Sequence, residues 1–397
     1  MTRPFSGIRI LDFTQVFAGP LASYQLSLLG ADVIKVERRG GEDMRGRPRS
    51  ADGTSQHTTP GWIAINANKR NIALDLKNPE AVEIIKRLVV GTDVVMENFR
   101  PGVMDRLGIG YEDLSAINQG LIYCCVSGFG REGPLKDEPS YDGKIQAMSG
   151  IMSVTGHEET GPMRAGFAIC DATAGITAAF GVASALYQRT HTGKGQLVDV
   201  AMYDSALALQ SPGIADYTIA GKEHKPYGNR AISGLPTADL FPVKDGNILL
   251  AVNNEKQFRC LMRSIGREAL LDDPRFVDWP ARLKNEDALI GIIREVFAED
   301  DAATWETRLI EEGVPCARIQ SIKQAVTHPQ LDHRDFMQTI EGPDGSVTLA
   351  TTGFRLEHGN AFLEHSFAKL GEHSEDILGE AGFSEEEITR LRDNGTI

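Results

Sequence analysis

The chain has 397 residues, which suggests two or three domains. Hydrophobic residues make up 41% and charged residues 24%, a globular mixture that excludes a wholly disordered, collagenous or coiled-coil chain. Lys and Arg number 41 against 55 Asp and Glu, a formal net charge of −14, so the surface repels a phosphate backbone and nucleic-acid binding is not expected as the main activity.

The N-terminal residues contain no apolar stretch long enough for a signal-peptide core, and nowhere do about 18 apolar residues run together. The five cysteines are an odd, scattered set without a C-x-x-C motif. Neither a disulfide framework nor a thiolate metal site is therefore indicated. We expect a soluble, cytoplasmic protein with reduced thiols and no membrane partner.

Short apolar runs alternate with helical patterns along the first two hundred residues. Strands are predicted at residues 8–13, 32–37, 93–98 and 121–127, and helices at 21–30 and 81–90. Strand, crossover helix and strand in repetition predict an α/β fold with a Rossmann-like, doubly wound parallel sheet. Ligands of such sheets bind at the carboxyl ends of the strands, which here carry DFTQVFAGP, VERRG, ENFRPG and SGFGREG.

The second half of the chain changes character. A packed helix is predicted over 172–189, and residues 211–240, rich in Gly and Pro, are typical of a linker. From about residue 228 a second unit contains a hairpin around residues 244–247 and helices at 255–266, 285–298 and 301–312. Beyond residue 326 a turn at 343–345 precedes an acidic helix, for which Ser384 and Glu387 form a capping box.

Several common catalytic motifs are missing or incomplete. The segment from Gly128 to Gly133 matches G-x-G-x-x-G, but prolines interrupt the helix that should follow it, and no acidic residue lies about 20 positions further on. Residues 192–195 lack the remainder of a P-loop, the histidines show no metal-binding spacing, and no G-x-S-x-G is present. We expect no metal, nicotinamide or flavin cofactor and no serine-hydrolase site.

Basic residues recur at the predicted strand ends. They are Arg38, Arg39, Lys69, Arg70, Lys77, Arg100 and Arg106. In an acidic chain, positive charge at the ligand edge of a sheet suits a small polyanion such as a nucleotide-containing cofactor. Ordinary solvated charge explains the same residues equally well.

Asp171 comes directly before the Ala-rich part of the predicted helix. Its type and position are typical of a helix N-cap, which accepts hydrogen bonds from the first-turn N–H groups. Alternatively, a carboxylate among Ala168, Ile169 and Ala172 could act as a nucleophile toward a thioester or anhydride carbonyl. The pattern alone leaves both interpretations open.

Longer stretches of the chain resemble the class III CoA-transferases, the family of formyl-CoA transferase and carnitine CoA-transferase, also called the CaiB/BaiF family. The similar stretches include LDFTQVFAGPLAS, LGADVIKVERRGGEDMR, NANKRNIALDLKNP, ENFRPGVMDRLGIGYEDL, YDGKIQAMSGIMSVTG, DATAGITAAFGVASALYQRTHTGKGQLVDVAMYDSAL and LGEHSEDIL. They occur in family order from residue 7 to about 378, nearly the whole chain.

The resemblance implies an architecture that composition and periodicity do not. Family members are interlocked homodimers in which each chain has a large Rossmann-like domain and a smaller α+β domain. By resemblance, residues 1–210 form the large CoA-binding domain, 211–227 a linker and 228–325 the small domain. Residues 326–397 then form a linker and a C-terminal segment that returns to the large domain.

The resemblance also implies the catalytic chemistry. Asp171 occupies the place of the family's nucleophilic aspartate, with Cys170 where the motif usually has Gly. CoA then moves from an acyl-CoA donor to a carboxylic acid acceptor through aspartyl-anhydride and aspartyl-CoA thioester intermediates, without ATP or metal. The residues implied to contact CoA are Val16, Phe17, Ala18, Arg38, Leu74, Lys77, Asn98, Phe99, Arg100, Arg106 and Tyr141.

Two departures from the formyl-CoA enzyme bear on the substrates. Its lysine two positions before the tyrosine is Pro139 here, and whether Lys136 replaces that lysine is left open. Its lid of four consecutive glycines is also missing. Formyl-CoA and oxalate are therefore not the expected pair. Arg164, with Arg230 and His224, could bind a second carboxylate on the substrate. We therefore expect the donor to be the CoA thioester of a dicarboxylic acid, such as succinyl-CoA.

Two alternatives remain. The superfamily includes 2-methylacyl-CoA racemases, whose histidine–aspartate pair falls where this chain has Tyr141-Asp142-Gly143. Racemisation needs two placed proton carriers, and no histidine is found there. A non-catalytic CoA-binding protein is the other alternative, and the presence of Asp171 argues against it.

Overall fold

The computed structural model describes residues 2–46 and 58–397. The chain divides into two compact units, the first of residues 1–150, 166–220 and 329–397, the second of 151–165 and 221–328. The predicted large and small domains overlap these units. The insertion of residues 151–165 into the second unit was not predicted.

A parallel sheet of six strands forms the centre of the first unit, in the order β3-β2-β1-β4-β5-β6. The strands are β1 (Arg9–Asp12), β2 (Asp32–Glu37), β3 (Arg70–Ala73), β4 (Val94–Glu97), β5 (Ile122–Ser127) and β6 (Gln196–Ala201). All five neighbouring pairs are parallel. The predicted α/β class with a parallel sheet is confirmed, and β3 and β6 are strands that the sequence did not predict.

The strand order decides where a ligand can bind. The chain runs outward from β1 through β2 to β3 and then returns to place β4 on the other side of β1. The connection that follows β1 therefore runs toward β2, and the connection that follows β4 runs the opposite way, toward β5. In parallel sheets a crevice forms at this point, outside the carboxyl ends of the strands.

Thirteen helices belong to the first unit within its described residues. They are Ala18–Leu28, Asp43–Gly46, Pro60–Asn66, Pro79–Val89, Val103–Arg106, Tyr111–Ile117, Asp142–Met148, Ile169–Thr192, Met202–Leu209, Ser211–Ala220, Pro329–His333, Ser374–Glu380 and Glu385–Asp393. A hairpin of Met337–Gly342 and Gly345–Ala350 completes the unit. The segment predicted as a linker thus begins with a helix, Ser211–Ala220, and its Pro212 lies in the first turn, where a missing N–H is tolerated.

The C-terminal segment returns to the first unit and joins its core. Ile377, Leu378 and Leu391 pack with Leu11 and Ile34 of the sheet in one buried cluster. The capping box predicted from Ser384 and Glu387 is confirmed at the start of Glu385–Asp393.

The helix Ile169–Thr192 is long and apolar enough to cross a membrane by length and composition alone. It packs instead against Ala18–Leu28 and β5. A Cβ added at Gly175 would lie 2.6 Å from the carbonyl oxygen of Ala18, so only glycine allows this close approach. One face of the helix is therefore packed against the rest of the first unit.

The second unit has its own core around Phe241, Phe297 and Trp305. A three-stranded antiparallel sheet joins Leu240–Val243, Gly246–Leu250 and Cys316–Arg318. The remaining elements are the helices Ile151–Val154, Glu255–Ser264, Trp279–Lys284, Glu286–Phe297, Ala302–Glu311 and Ile322–Val326, the 3-10 helix Glu268–Leu271, and the two-residue strands Gly156–His157 and Gly161–Pro162. The predicted hairpin and three helices of this unit are confirmed, with small shifts at their ends.

Candidate active site

A cavity of about 240 Å³ opens at the crevice between the carboxyl ends of β1 and β4. Loops after β1 and β4, the end of β5, a loop before the helix Asp142–Met148 and the start of Ile169–Thr192 form its walls. Its lining residues are Gln15, Val16, Phe17, Ala18, Asn98, Phe99, Arg100, Pro101, Val126, Ser127, Gly128, Lys136, Glu138, Pro139, Ser140, Tyr141, Asp171 and Met202. The sheet edge predicted from the strand pattern is thus the edge that carries the cavity.

The two loops at the crevice are fastened to each other. The side chain of Asn98 accepts a hydrogen bond from the backbone N–H of Gln15 at 2.7 Å and donates one to its carbonyl oxygen, also at 2.7 Å. Buried Glu97 accepts a bond from the N–H of Phe99 at 2.8 Å. All three bonds fix main chain that lines the cavity.

Asp171 lies at the start of the helix Ile169–Thr192 but does not cap it. The N-cap is Ala168, which makes no side-chain hydrogen bond, and Asp171 is the third helical residue. The N-cap interpretation of Asp171 is therefore wrong. Cys170 has ordinary helical backbone and is buried, so this helix start does not need the family's glycine.

Asp142 takes over the capping of this helix from outside. Its Oδ1 accepts a hydrogen bond from the N–H of Cys170 at 2.8 Å and a longer one from that of Asp171 at 3.4 Å. Its Oδ2 accepts a bond from Nε2 of Gln146 at 2.6 Å. Because Asp142 satisfies the first-turn N–H groups, the carboxylate of Asp171 is left to face the cavity.

The environment of Asp171 disfavours its charge. Burial raises the pKa of this carboxyl to about 6, and the nearby charge of Asp142 acts in the same direction. At neutral pH most Asp171 side chains are therefore ionised, but the carboxylate is less well solvated than one in water. Such a group is a competent nucleophile toward an activated carbonyl.

Two cations face the same cavity. Among the residues that the structure describes, neither Arg100 nor Lys136 forms an ion pair, whereas Glu138 is paired with Lys144 at 2.7 Å. The cavity therefore offers positive charge to an anionic ligand. Lys136, which the sequence left open as a replacement for the missing family lysine, lines the cavity beside Pro139.

The structure brings eight of the twelve predicted site residues to the cavity wall. These are Val16, Phe17, Ala18, Asn98, Phe99, Arg100, Tyr141 and Asp171. Arg38 and Lys77 are exposed residues that follow β2 and β3 at the same sheet edge, and exposed Arg106 ends the helix Val103–Arg106. Leu74 follows β3 and its side chain is fully buried in the core.

Sequence reasoning missed several wall residues. Ser127, Gly128 and Met202 lie at or just after the ends of β5 and β6. A Cβ added at Gly128 would lie 2.0 Å from Oγ of Ser140, so a glycine is required for these two wall segments to touch. The SGFGREG run after β5 was a signal for this wall, whereas β6 was not predicted and Met202 could not be found.

Arg230 and His224, two of the three residues expected to receive a second carboxylate, have other partners. Arg230 pairs with Glu286 at 2.9 Å and Asp239 at 3.5 Å. His224 contacts the hydroxyl of Tyr227 through Nδ1 at 2.9 Å. Since two carboxylates already neutralise Arg230, the structure does not support it as a receptor for a substrate carboxylate.

Within the described part of the chain, no group of three or more His, Cys, Asp or Glu side chains is placed to hold a metal ion. The cavity itself contains carboxylates, cations, amides and aromatic rings. These groups suit a ligand that combines anionic and apolar parts.

Comparison with known proteins gives consistent matches over the whole chain. Residues 5–374 match the family described as CoA-transferase family III. The chain is 36% identical over 383 residues to succinate–glutarate CoA-transferase of Agrobacterium fabrum, covering 95% of each protein. It is 34% identical over 399 residues to succinyl-CoA:glutarate CoA-transferase of Mus musculus, covering 100% of this chain and 90% of that relative. A crystal structure of a CAIB/BAIF family protein from Brucella suis superposes with a TM-score of 0.86 at 33% identity, covering 96% of this chain and 100% of the other.

Proposed function

The chain belongs to CoA-transferase family III and is a CoA-transferase, and we propose that it moves CoA from succinyl-CoA to a carboxylic acid through covalent intermediates on Asp171. One observation carries the assignment of the nucleophile. Asp171 faces a cavity at the crevice of the parallel sheet, with its pKa raised to about 6 and the neighbouring helix N–H groups bonded to Asp142.

The reaction follows from carboxylate attack on a thioester. The carboxylate of Asp171 attacks the thioester carbonyl of the donor, the C–S bond breaks, and an aspartyl anhydride and a CoA thiolate result. The thiolate then attacks the aspartyl carbonyl, which releases the donor acid and leaves an aspartyl-CoA thioester.

The second half repeats these steps with the acceptor. An acceptor carboxylate attacks the aspartyl-CoA thioester, giving a new anhydride and the thiolate again. Thiolate attack on the acceptor carbonyl forms the product thioester and frees Asp171. One thioester is consumed and one is formed, so the steps balance without ATP or water.

The cavity suits the reacting end of an acyl-CoA rather than the whole molecule. Its volume of about 240 Å³ is below the range of about 300–1,000 Å³ common for sites that enclose a whole drug-sized ligand. We place the thioester there and the phosphates along the sheet edge, where Arg38, Lys77 and Arg106 are exposed. Phe17, Phe99 and Tyr141 supply aromatic surface for the pantetheine or adenine.

The contacts of Asp142 favour transfer over racemisation. Asp142 is 6% exposed, and both of its carboxylate oxygens accept hydrogen bonds from Gln146 or backbone N–H groups. A side chain held in this way is poorly placed to exchange a proton with a substrate α-carbon. The Tyr141-Asp142-Gly143 segment thus supports capping of the nucleophile's helix rather than acid–base chemistry.

Two independent observations support dicarboxylates as the acids whose CoA thioesters are exchanged. Relatives at 34% and 36% identity bear the names of succinyl-CoA:glutarate and succinate–glutarate CoA-transferases. Lys136 and Arg100 place positive charge on the cavity wall without an ion-pair partner among the described residues. A second carboxylate on the acyl group would meet one of these cations.

A homodimer is proposed because one face of the first unit is apolar and exposed. Ile176, Phe180 and Tyr187 lie on one face of the helix Ile169–Thr192 and are 62%, 74% and 70% exposed. The nearby helix Ser211–Ala220 has no buried residue, and its Ile219 is 85% exposed. Exposed apolar side chains grouped in this way are typical of a protein–protein contact, and light scattering on the purified chain would report a dimer.

A chromatographic exchange assay tests the proposed reaction. Succinyl-CoA, acetyl-CoA and formyl-CoA are offered in turn with glutarate, oxalate, acetate and no acid, to the wild type and to Asp171→Ala. We expect new acyl-CoA from succinyl-CoA only when an acid is present, and none from the variant. Exchange that persists in Asp171→Ala excludes Asp171 as the nucleophile. Exchange confined to monocarboxylates would contradict the dicarboxylate proposal.

A further inference from the structure

The turn between β1 and the helix Ala18–Leu28 has an unusual backbone. Val16 has a φ of +69°, in the left-handed region. A β-branched residue rarely adopts this conformation because its side chain crowds the backbone there. Val16 is also 41% exposed and lines the cavity, so burial of its own side chain does not explain the conformation.

Polar side chains from three other positions of the first unit bond to the main chain of this turn. The ammonium group of Lys35 donates a hydrogen bond to the carbonyl oxygen of Thr14 at 2.7 Å. The side chain of Asn98 bonds to both the N–H and the carbonyl oxygen of Gln15. Glu42 accepts a hydrogen bond from the N–H of Val16 through Oε2 at 3.0 Å. Three successive residues of the turn are thus each bound by a different side chain.

The carboxylate of Glu42 is itself fixed. Its Oε1 lies 3.3 Å from Nζ of Lys35, with both side chains nearly fully buried, and accepts a hydrogen bond from the indole N–H of Trp62. The backbone N–H of Glu42 bonds to the buried carboxylate of Glu37 at 3.0 Å. Lys35 and Trp62 thus hold one oxygen of the carboxylate, and the other oxygen makes a directed, charge-assisted bond to the N–H of Val16.

We propose that Glu42 is a positioning residue of the active site, whose buried carboxylate holds Val16 in the left-handed conformation that gives the CoA-binding wall its shape. The inference rests on the proposed CoA site at this cavity. Backbone strain persists only where surrounding groups enforce it, and it concentrates at ligand sites. Without the Glu42 bond, Val16 can relax to a negative φ, which turns the main chain of Phe17 and Ala18 away from its binding geometry.

A double-mutant cycle separates this role from a contribution to folding. Glu42→Gln keeps the size of the side chain, but its amide group cannot accept bonds from Lys35, Trp62 and Val16 together. Val16→Gly removes the strain, because glycine adopts a positive φ readily. The affinity for free CoA is measured by isothermal titration calorimetry for wild type, both single variants and the double variant, with urea unfolding to confirm that each is folded.

We expect Glu42→Gln to weaken CoA binding about tenfold in the wild-type background and less than about threefold in the Val16→Gly background. A residue that only stabilised the fold would lower the urea midpoint and leave the affinity of the folded protein unchanged in both backgrounds. An unchanged affinity in Glu42→Gln, or an equal loss in both backgrounds, overturns the inference.

A second variant answers the question if Glu42→Gln does not fold. Val16→Pro removes the N–H that Glu42 binds and forces φ to about −65° at an exposed position. It should weaken CoA binding by at least as much as Glu42→Gln, and by more than Val16→Ala, which keeps the N–H. Wild-type affinity in Val16→Pro refutes the positioning role.

The variant Arg100→Glu tests the proposed CoA site separately from the role of Glu42. It reverses a charge on the cavity wall. If CoA binds to Arg100→Glu as tightly as to the wild type, the proposed CoA site is itself wrong. If Arg100→Glu weakens binding and the Glu42 and Val16 variants do not, only the positioning role of Glu42 is refuted.

Discussion

Replacing Asp171 by asparagine should stabilise the protein while it abolishes transfer. The pKa of Asp171 is raised from 3.8 to about 6, chiefly by burial. Between these two pH values the folded chain binds more protons than the unfolded chain, so the free energy of unfolding falls as the pH rises through the window. Asparagine resembles the neutral carboxyl group and removes this loss.

The size of the effect follows from the shift of about two pKa units. Each unit corresponds to about 1.36 kcal/mol, so Asp171→Asn should raise the free energy of unfolding by about 3 kcal/mol at pH 8. At pH 4.5 most of the native carboxyl is already protonated, and the gain should shrink to about 1 kcal/mol. Urea unfolding of both proteins at the two pH values measures the difference.

The matched control is Asp137→Asn, the same chemical change at an exposed turn residue. It should alter the free energy of unfolding by less than about 0.5 kcal/mol at either pH. An Asp171→Asn protein that is no more stable than the wild type at pH 8, or whose gain is equal at both pH values, would refute the electrostatic reasoning. Transfer should fall at least about 10³-fold in Asp171→Ala, since this variant lacks the proposed nucleophile.

Three further predictions use the same structure. Protonation of Asp171 should make kcat/KM for the acyl-CoA donor fall tenfold per pH unit below about pH 6, and a flat pH–rate profile from pH 4.5 to 8 would contradict its role as nucleophile. Gly175→Ala should lower the free energy of unfolding by about 1–3 kcal/mol in a urea titration, because its Cβ would lie 2.6 Å from the carbonyl oxygen of Ala18. The control is Gly291→Ala, which lies in a helix with open space around the new Cβ and should not destabilise the protein in the same titration. Burial raises the pKa of Glu97 from 4.5 to about 7. Glu97→Gln should therefore raise the free energy of unfolding by about 3 kcal/mol at pH 9 and by less than about 1 kcal/mol at pH 5. Equal urea midpoints for the variant and the wild type at pH 9 would contradict this prediction.

Of the four strands that the sequence predicted, β4 and β5 carry the clearest signal. In β4 all four residues are buried, and β5 is a continuous apolar run. β3 contributes only four residues and begins with Arg70, and β6 contains Gln196 and Asp199. Both outer strands are fixed by pairing with a neighbour along the sheet, a tertiary contact that leaves no periodic signal in a short segment.

The candidate site was predictable as a location and not as a geometry. The strand pattern and the family motifs indicated the sheet edge and Asp171. The burial of Glu42 was not indicated, because VERRGGED reads as a solvated charged loop. The same holds for Lys35, which alternates with apolar residues in β2 and is nevertheless 1% exposed. Val16, whose N–H bonds to Glu42, lies 26 residues from it along the chain.

Buried charges beneath the cavity are better explained by the main chain they hold than by the stability they provide. An ion pair removed from water loses much of its Coulomb energy to desolvation, so pairs such as Lys35–Glu42 and Lys69–Asp12 are weak stabilisers of the fold. Lys69 contacts the carbonyl oxygen of Pro20, Lys35 that of Thr14, and Glu42 the N–H of Val16. Each of these three charged side chains thus bonds to a backbone group at or next to the cavity wall. Apolar side chains of equal volume could fill this space, but they could not accept or donate these bonds, and the wall would lose the conformation that the site requires.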